Sequence, residues 1–314
     1  MSAAGSDLVH AATIATLRDE DDVDGVFACT RKERLRSRTG APYLALELRD
    51  ASGAIPAKAF RDADLLAGRF ERGELVRVRG RATRFRDELQ IDVATIAKAA
   101  GVEADPSRFL PTAHRDLDEL EGFLEHLARE VYDPRLAALL ASLLGDRALR
   151  AELRRAPCSM PGSRAPGAHH AYLGGLLEHT VAVATMAVEL CAVHPRLDRD
   201  LLLSAAIVHD LGKTREFAYA ADVTRTREGA LLGHLELGVR VIAAHAPAQL
   251  DESRRLALEH CVLVHHGARD GAPAGFACPE AVALFRLNSL DAGVKGAFEH
   301  HLAERAGLSA PRTG

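Results

Sequence analysis

The 314-residue chain has no tryptophan, three methionines and only 4% aromatic residues. Its core must therefore be built from Leu, Ala and Val, which favours helices over a large β-sandwich. Its five cysteines are dispersed and form no CxxC pair, which argues against a structural zinc knuckle and predicts buried packing residues in a reducing compartment. No run approaches about 18 uninterrupted apolar residues, so the sequence predicts no membrane span and no membrane partner.

An excess of one charge is also lacking. The chain has 40 basic and 44 acidic residues and a net charge of -4, so no global field attracts nucleic acid, and any such affinity needs a local patch. The N-terminal residues lack the basic and apolar regions of a signal peptide, which predicts a cytoplasmic location. At about 150 residues per domain, the length predicts two domains.

Residues 21–100 contain five short apolar runs of period two, separated by turn signals. This pattern predicts a small β-barrel of the OB-fold type, with a helix or loop near residues 62–70 that caps one end. Residues 1–20 are predicted to be disordered or a short N-terminal segment.

The pattern changes to helical spacing after a predicted linker at 101–112. Residues 113–305 are predicted to form an all-α domain, with a flexible tail at 306–314. The fold class is therefore an OB-type barrel followed by a helical domain. One of its helices is predicted to start near residue 170, after a loop rich in Pro, Gly and Ser.

Histidine is in excess, with 15 residues, of which ten lie between His169 and His266. In the string AAIVHDLGK, residues 205–213, an apolar helix ends in His209 and Asp210, and Gly212 is a helix C-cap signal. Alone, this pair fits a solvent-facing helix end as well as it fits a metal site.

Other His and Asp residues also interrupt apolar helical stretches. A buried imidazole or carboxylate is costly unless it is paired or coordinated, and several such segments in order are hard to explain as separate core residues. Imidazole and carboxylate ligands suit Mn, Fe, Co, Ni or Zn. These residues are His179, His234, His265, His266 and Asp291.

The order H…HD…H…HH…D resembles the HD superfamily of metal-dependent phosphohydrolases. The strings HHAYLGGLLEHT, HDLGK, LLGH, VHHG and EAVALFRLNSLDA, preceded by an OB-like domain, resemble the YhaM family of 3′-5′ exoribonucleases over residues 20–300. The resemblance implies one or two divalent ions per chain, with Mn first. It implies His179, His209, Asp210 and Asp291 as core ligands, and Asp210 as a bridge to a second ion held by His234 with His265 or His266.

Two departures from the family pattern stand out. Asp270 and GAP replace an acidic residue and GSP, which is a mild change. Phe285 and Asn288 stand where the family often has a histidine and a second aspartate, so accessory contacts are expected to differ there, with an effect on substrate choice left open.

Asp210 and Lys213 are the candidate catalytic residues. Lys213 is placed either to reach a non-bridging phosphate oxygen as a point charge or to be a solvated lysine at a helix end. His169 and His170 precede His179 by nine or ten residues. At about 1.5 Å per residue, a straight helix would hold them too far away for ligation, which leaves substrate binding or loop packing.

Local basic and aromatic residues in the OB-like region predict a grip on single strands. In a strand, Arg77, Arg79 and Arg81 share one face. The aromatic residues available for base stacking are Tyr43, Phe60 and Phe85. The alternative is an ordinary solvated face with Phe60 in the barrel core.

These patterns predict a metal-dependent 3′-5′ exoribonuclease, a hydrolase that acts on single-stranded RNA, with single-stranded DNA as a further candidate substrate. Two alternatives stay open. One is a nucleotide phosphohydrolase or cyclic-nucleotide phosphodiesterase, and the other is a non-catalytic single-strand-binding accessory protein. The sequence leaves open whether the chain forms a homo-oligomer.

Overall fold

The computed structural model describes residues 13–160, 169–267 and 275–299. The predictions for Asp270, the tail and most of the N-terminal segment therefore lie outside the described residues. The chain divides into two compact units. The first contains the described residues through Leu110 together with Tyr219–Val223, and the second contains Pro111–Ala218 and the described residues from Thr224 onward.

The first unit is the predicted five-stranded barrel. Apolar side chains alternate along its strands and fill the interior, as with Val23 and Phe27 on the first strand. The strand order is β1-β2-β3-β5-β4, closed by antiparallel pairing of β1 with β4 and short parallel pairing of β3 with β5. A short helix, α1 (Ala63–Ala67), occupies the predicted capping position. The strands are β1 (Asp22–Arg36), β2 (Pro42–Asp50), β3 (Gly53–Ala59), β4 (Leu75–Phe85) and β5 (Glu88–Lys98).

A small two-stranded sheet that the sequence did not predict consists of β6 (Phe217–Tyr219) and β7 (Val223–Arg225), with Tyr219 and Val223 in the first unit and the other residues in the second. The second unit is otherwise helical. Its helices are α2 (Leu117–Arg129), α3 (Pro134–Gly145), α4 (Arg147–Arg155), α5 (Gly175–Val193), α6 (Arg199–Val208), α7 (Lys213–Glu216), α8 (Arg227–His245), α9 (Glu252–Val264) and α10 (Pro279–Glu299).

Aspartates define where five of these helices begin. Each precedes a helix and accepts hydrogen bonds from backbone N–H groups of its first turn, which would otherwise lack partners. One such cap contributes about 1 kcal/mol to stability. The capping residues are Asp116, Asp133, Asp146, Asp198 and Asp251.

Helix α5 is long and apolar enough to cross a membrane by length and composition, with a mean hydropathy of 1.6. Half of it is buried inside the protein, where it packs against α2, α6 and α10. It also carries the fully buried His179. We therefore interpret α5 as the core helix of the second unit.

Three local features differ from the sequence reading. Helix α5 begins at Gly175 instead of near residue 170. Helix α8 is kinked at Gly233, whose φ of 70° is left-handed. The predicted linker forms two 3-10 turns, Gly101–Ala104 and Pro106–Arg108.

Candidate metal centre and nucleic-acid surface

Five helices or helix ends of the second unit bring histidines and aspartates together. His179 lies on α5 and Asp291 on α10, while His209 and Asp210 directly follow α6. His234 follows the kink in α8, and His265 and His266 follow α9. His179, His209, Asp210 and His265 are at most 1% exposed.

A first group of possible ligands consists of His179, His209 and Asp210. The Nε2 atoms of His179 and His209 are 3.1 Å apart. They lie 3.7 and 3.5 Å, respectively, from Asp210 Oδ2. These three atoms are close enough for one cation to contact all of them.

A second group shares Asp210 and adds His234, His265 and His266. Asp210 Oδ1 lies 3.4 Å from His265 Nε2 and 3.7 Å from His234 Nε2. The Nε2 atoms of His234 and His266 are 2.9 Å apart. Asp210 therefore offers one oxygen to each group.

Backbone carbonyls fix which ring nitrogens face these groups. The Nδ1–H of His209 donates to the Ala206 carbonyl at 2.8 Å, and that of His265 donates to the Val262 carbonyl at 2.6 Å. Burial lowers the pKa of both imidazoles, so each is neutral at pH 7 with a lone pair on Nε2. This is the form that binds metal ions.

Two of the converging atoms are buried acceptors without a hydrogen-bond donor among the described residues. Asp210 Oδ1 and His265 Nε2 are buried and have no hydrogen-bond partner among the described residues. Although burial opposes ionisation, the Lys213 ammonium holds the pKa of Asp210 well below its usual range, so this carboxylate is charged. Orphaned buried acceptors are costly, and a divalent cation would satisfy them. The residues therefore fit a divalent metal ion.

Lys213 is not a solvated helix-end residue, so that alternative is wrong. The residue is buried, and its Nζ lies 2.7 Å from Asp210 Oδ2. Although burial opposes the charge, Asp210 raises the pKa of Lys213. The ammonium is thus charged and held beside the shared carboxylate.

Gly212 is not the helix C-cap that the sequence indicated. Its backbone is right-handed, with φ of -61°, and it precedes α7. A Cβ at this position would overlap the His234 carbonyl oxygen and lie 2.5 Å from the Gly238 nitrogen. Glycine is required because α7 approaches α8 closely, next to the kink that places His234.

Glu216 belongs to the site and was missed by the sequence reading. It is buried, and its Oε2 lies 3.3 Å from His234 Nδ1, while its Oε1 lies 3.3 Å from Arg225 Nε. A carboxylate on Nδ1 orients an imidazole and leaves Nε2 for a metal ion. Nothing in the sequence linked Glu216 to His234, because the hairpin β6–β7 separates them.

Asp291 contacts the first group through His179. Its Oδ2 accepts hydrogen bonds from His179 Nδ1 at 2.6 Å and from His170 Nε2 at 3.0 Å. Although burial opposes ionisation, these bonds hold the pKa of Asp291 below its usual range. Asp291 thus orients His179, and its role as a direct ligand stays a prediction.

His169 and His170 lie in the site, so the straight-helix argument against their proximity is wrong. Both precede the start of α5 and are buried. The rings of His169 and His179 have centroids 4.7 Å apart. His170 has a left-handed backbone with φ of 46°, and its Nδ1 lies 2.9 Å from the Tyr172 hydroxyl.

Asn288 contacts two of the histidines. Its Oδ1 lies 3.0 Å from His179 Nε2, and its Nδ2 donates to the His265 carbonyl at 3.3 Å. Phe285 instead packs against Phe276, with ring centroids 5.4 Å apart. Asn288 thus contacts two candidate metal ligands directly.

The arginines of β4 are engaged by carboxylates. Arg77 and Arg79 both bind Asp24, and Arg77 also binds Glu103. Arg81 lies 3.7 Å from Glu20. These guanidinium groups do share one face, but the paired acids reduce its positive potential.

Aromatic residues form a second surface on the barrel. The rings of Tyr43 and Phe60 stack with centroids 5.5 Å apart, and Phe60 is 52% exposed, so its placement in the barrel core is wrong. Phe85 is 53% exposed, with Lys58 Nζ 4.9 Å from its ring. Lys58 lies on β3 and Phe60 directly follows this strand, two residues later, so the aromatic pair and Phe85 are close to the same lysine.

Comparison with known proteins agrees with this architecture. The profile of the HD domain matches residues 176–301, and that of the OB-fold nucleic acid binding domain matches residues 28–98. The 3′-5′ exoribonuclease YhaM of Bacillus velezensis is 30% identical over 275 residues, which cover 87% of this chain and 85% of the relative. The chain belongs to the YhaM family. YhaM of Bacillus subtilis is 30% identical over 81% of this chain and 79% of its own length, and that of Shouchella clausii is 29% identical over 87% and 84%.

Membership in the YhaM family confirms the resemblance inferred from the histidine and aspartate strings. It also confirms the predicted fold class, because the OB-fold match falls on the barrel and the HD match begins within α5.

Proposed function

We propose that this protein is a metal-dependent 3′-5′ exoribonuclease that hydrolyses single-stranded RNA. The observation that carries the proposal is the sharing of Asp210 between two groups of converging imidazole and carboxylate atoms. Two ions about 3.5–4 Å apart, clamping a phosphate, are a recurring arrangement in nucleases. Manganese is the proposed ion, since the ligands are imidazole and carboxylate, and Co, Fe, Ni and Zn remain candidates.

We infer the ligand roles from the two groups of neighbouring side chains. His179, His209 and Asp210 would hold one ion, with Asp291 orienting His179 or contacting the ion directly. Asp210, His234, His265 and His266 would hold the other. Bound metal supplies a hydroxide nucleophile near neutral pH and neutralises phosphate charge.

The chain's own residues bind and orient the substrate around that chemistry. Lys213, buried beside Asp210, carries a fixed positive charge that a phosphate oxygen can share. His266 is exposed, His234 and Asp291 are partly exposed, and the remaining candidate ligands are buried. We therefore infer that the 3′ end approaches from the side of His266. His169 and His170 support His179 and Asp291 from the buried side, so a direct role in strand binding is less favoured for them.

We place the strand-binding surface at Tyr43, Phe60 and Phe85. Exposed rings stack bases without regard to sequence, and the adjoining Lys58 attracts phosphate. Arg77, Arg79 and Arg81 are assigned a smaller role, since their ion pairs must loosen before they bind a strand. Single-stranded DNA would bind the same surface. A cytoplasmic location also remains part of this proposal.

A 5′-labelled single-stranded RNA incubated with the protein and Mn²⁺ tests the activity. We expect a ladder of products that shortens from the 3′ end, and protection of the same RNA when its 3′ end is annealed in a duplex. Parallel reactions with single-stranded DNA and with cyclic and free nucleotides distinguish the substrates. Intact RNA with every divalent metal would contradict the proposal. Hydrolysis of nucleotides alone would favour the phosphohydrolase alternative.

A further inference from the structure

Two cysteines outside the metal centre lie next to each other. The Sγ atoms of Cys261 and Cys278 are 3.9 Å apart. Cys261 lies on α9 and is fully buried, whereas Cys278 immediately precedes α10 and is partly exposed. The prediction that all five cysteines are buried packing residues is therefore wrong for Cys278.

Cys278 also differs chemically from the other cysteines. The hydrogen bond with Cys261 lowers the pKa of the Cys278 thiol below its usual value, which favours its thiolate form. Burial raises the pKa of Cys29, Cys158 and Cys191, which keeps them protonated and unreactive. An accessible thiolate beside a second thiol is the arrangement of a reactive cysteine with a resolving partner.

We propose that Cys261 and Cys278 form a redox-active pair that hydroperoxides oxidise to an intrachain disulfide. The Sγ atoms must approach by about 2 Å to reach the bonding distance. We expect rotation of the partly exposed Cys278 side chain, which directly precedes α10, to supply this movement.

The reaction balances with the hydroperoxide as the two-electron oxidant. The Cys278 thiolate attacks one peroxide oxygen, the O–O bond breaks, and the leaving oxygen takes a proton to become an alcohol or water. Cys278 is then a sulfenic acid. The Cys261 sulfur attacks it, the S–O bond breaks, and the hydroxyl leaves with the Cys261 proton as water.

The disulfide would join the last turns of α9 to the start of α10. The chain between the two cysteines carries His265 and His266, which belong to the second group of candidate metal ligands. Oxidation would therefore restrain the segment that supplies these imidazoles. The thiol chemistry itself does not depend on the proposed nuclease activity.

The test treats the full-length, chelator-stripped protein with a small excess of hydrogen peroxide. We expect the five alkylatable thiols to fall to three, with a mass decrease of about 2 Da that dithiothreitol reverses. Peptide mapping should find Cys261 linked to Cys278. A matched control, Cys191→Ser, removes a cysteine of α5 and should still lose two thiols.

The variants Cys278→Ser and Cys261→Ala should form no disulfide under the same treatment. The first alters a partly exposed residue, so it remains informative if the second fails to fold. A disulfide that maps elsewhere or links two chains would overturn the proposal. So would oxidation of Cys278 to a sulfinic acid while Cys261 remains alkylatable in denaturant.

Discussion

His209 and His265 owe their ligand form to their position at helix ends. Each follows the last residue of a helix and donates its Nδ1–H to the carbonyl three residues earlier, one of the carbonyls that a helix C-terminus leaves without a partner. Nε2 is thereby left as the acceptor next to Asp210. The same hydrogen bond to a backbone carbonyl thus orients one histidine in each candidate metal group.

The site residues that the sequence revealed are those in recognisable strings. His179, His209 and Asp210 stood out because they interrupt apolar helices. Glu216 did not, because its contact with His234 exists only after the chain has turned through β6 and β7. The distance of His169 and His170 from His179 was predicted wrongly, because residues 169–174 are not helical and bring these side chains back to His179. Helical periodicity does not predict such a turn.

The variant Glu216→Gln tests the orienting contact on His234. A neutral amide attracts the Nδ1–H of His234 less strongly than a carboxylate does, so we expect one of two Mn²⁺ ions to bind about 10-fold more weakly. Titration calorimetry on the chelator-stripped protein measures this. The control is Glu228→Gln, an exposed carboxylate that binds Arg215. Equal metal affinities in both variants would exclude an orienting role.

At the scale of elements, the close approach of α7 and α8 places both Asp210 and His234. Strongly periodic helices such as α2 and α3 were predictable, because their apolar spacing reports a buried face. The three-residue strands β6 and β7 were not, since so short a run has no detectable alternation. The kink at Gly233 likewise has no periodic signature.

The variant Gly212→Ala tests the approach of α7 to α8. A methyl group would overlap the His234 carbonyl, so we expect a loss of about 2–4 kcal/mol in unfolding free energy, together with weaker Mn²⁺ binding. Gly293→Ala is the control, because nothing lies within 4 Å of a Cβ there on α10. That change should be neutral or stabilising by up to about 1 kcal/mol. Similar unfolding midpoints for the two variants would refute the packing argument.

Asp133 precedes α3 and forms an ion pair with Arg254 on α9. This ion pair makes the stability of the helical unit depend on pH. Arg135, and with it Arg254, holds the pKa of this carboxyl below its usual range. A carboxyl with a depressed folded pKa stabilises the protein above its unfolded pKa of about 3.9, and this contribution is lost as the pH falls through the folded pKa. We therefore expect Asp133→Asn to destabilise by about 1 kcal/mol at pH 7 and by progressively less as the pH falls below about 3.9.

Urea unfolding at several pH values checks this prediction. Asparagine still caps a helix, so the comparison isolates the charge. The exposed turn residue Asp87, changed to Asn, provides the control. A difference between wild type and Asp133→Asn that persists unchanged in acid would show that the charge contributes nothing.

At the scale of the whole molecule, the proposal assigns strand binding to the barrel, which has exposed aromatic residues, and hydrolysis to the helical unit, which has the converging ligands. The net charge of -4, taken over the whole chain, gives no sign of these two roles. The sequence predicted both units, because period two and helical periodicity are distinct. It did not predict that Asp24, Glu103 and Glu20 would pair with the arginines of β4.

The variant Phe60→Ala tests the stacking surface in the full chain. Removing one base-stacking ring should weaken binding of a single-stranded RNA by about 10-fold and leave cleavage of a dinucleotide unchanged. Phe123→Ala, which removes an exposed ring on α2, is the control. Fluorescence anisotropy in Ca²⁺, without turnover, measures the affinity. Unchanged RNA affinity in Phe60→Ala would place the strand elsewhere.

The central claim is that Asp210 unites two metal sites, and titration of Mn²⁺ into the chelator-stripped protein tests it most directly. We expect two ions per chain in the wild type and in Glu252→Gln, which changes an exposed carboxylate on α9. Asp210→Asn, with its folding verified by circular dichroism, should lose about 100-fold or more in affinity at both sites. No Mn²⁺ binding by the wild type, or undiminished binding of two ions by Asp210→Asn, would contradict the account.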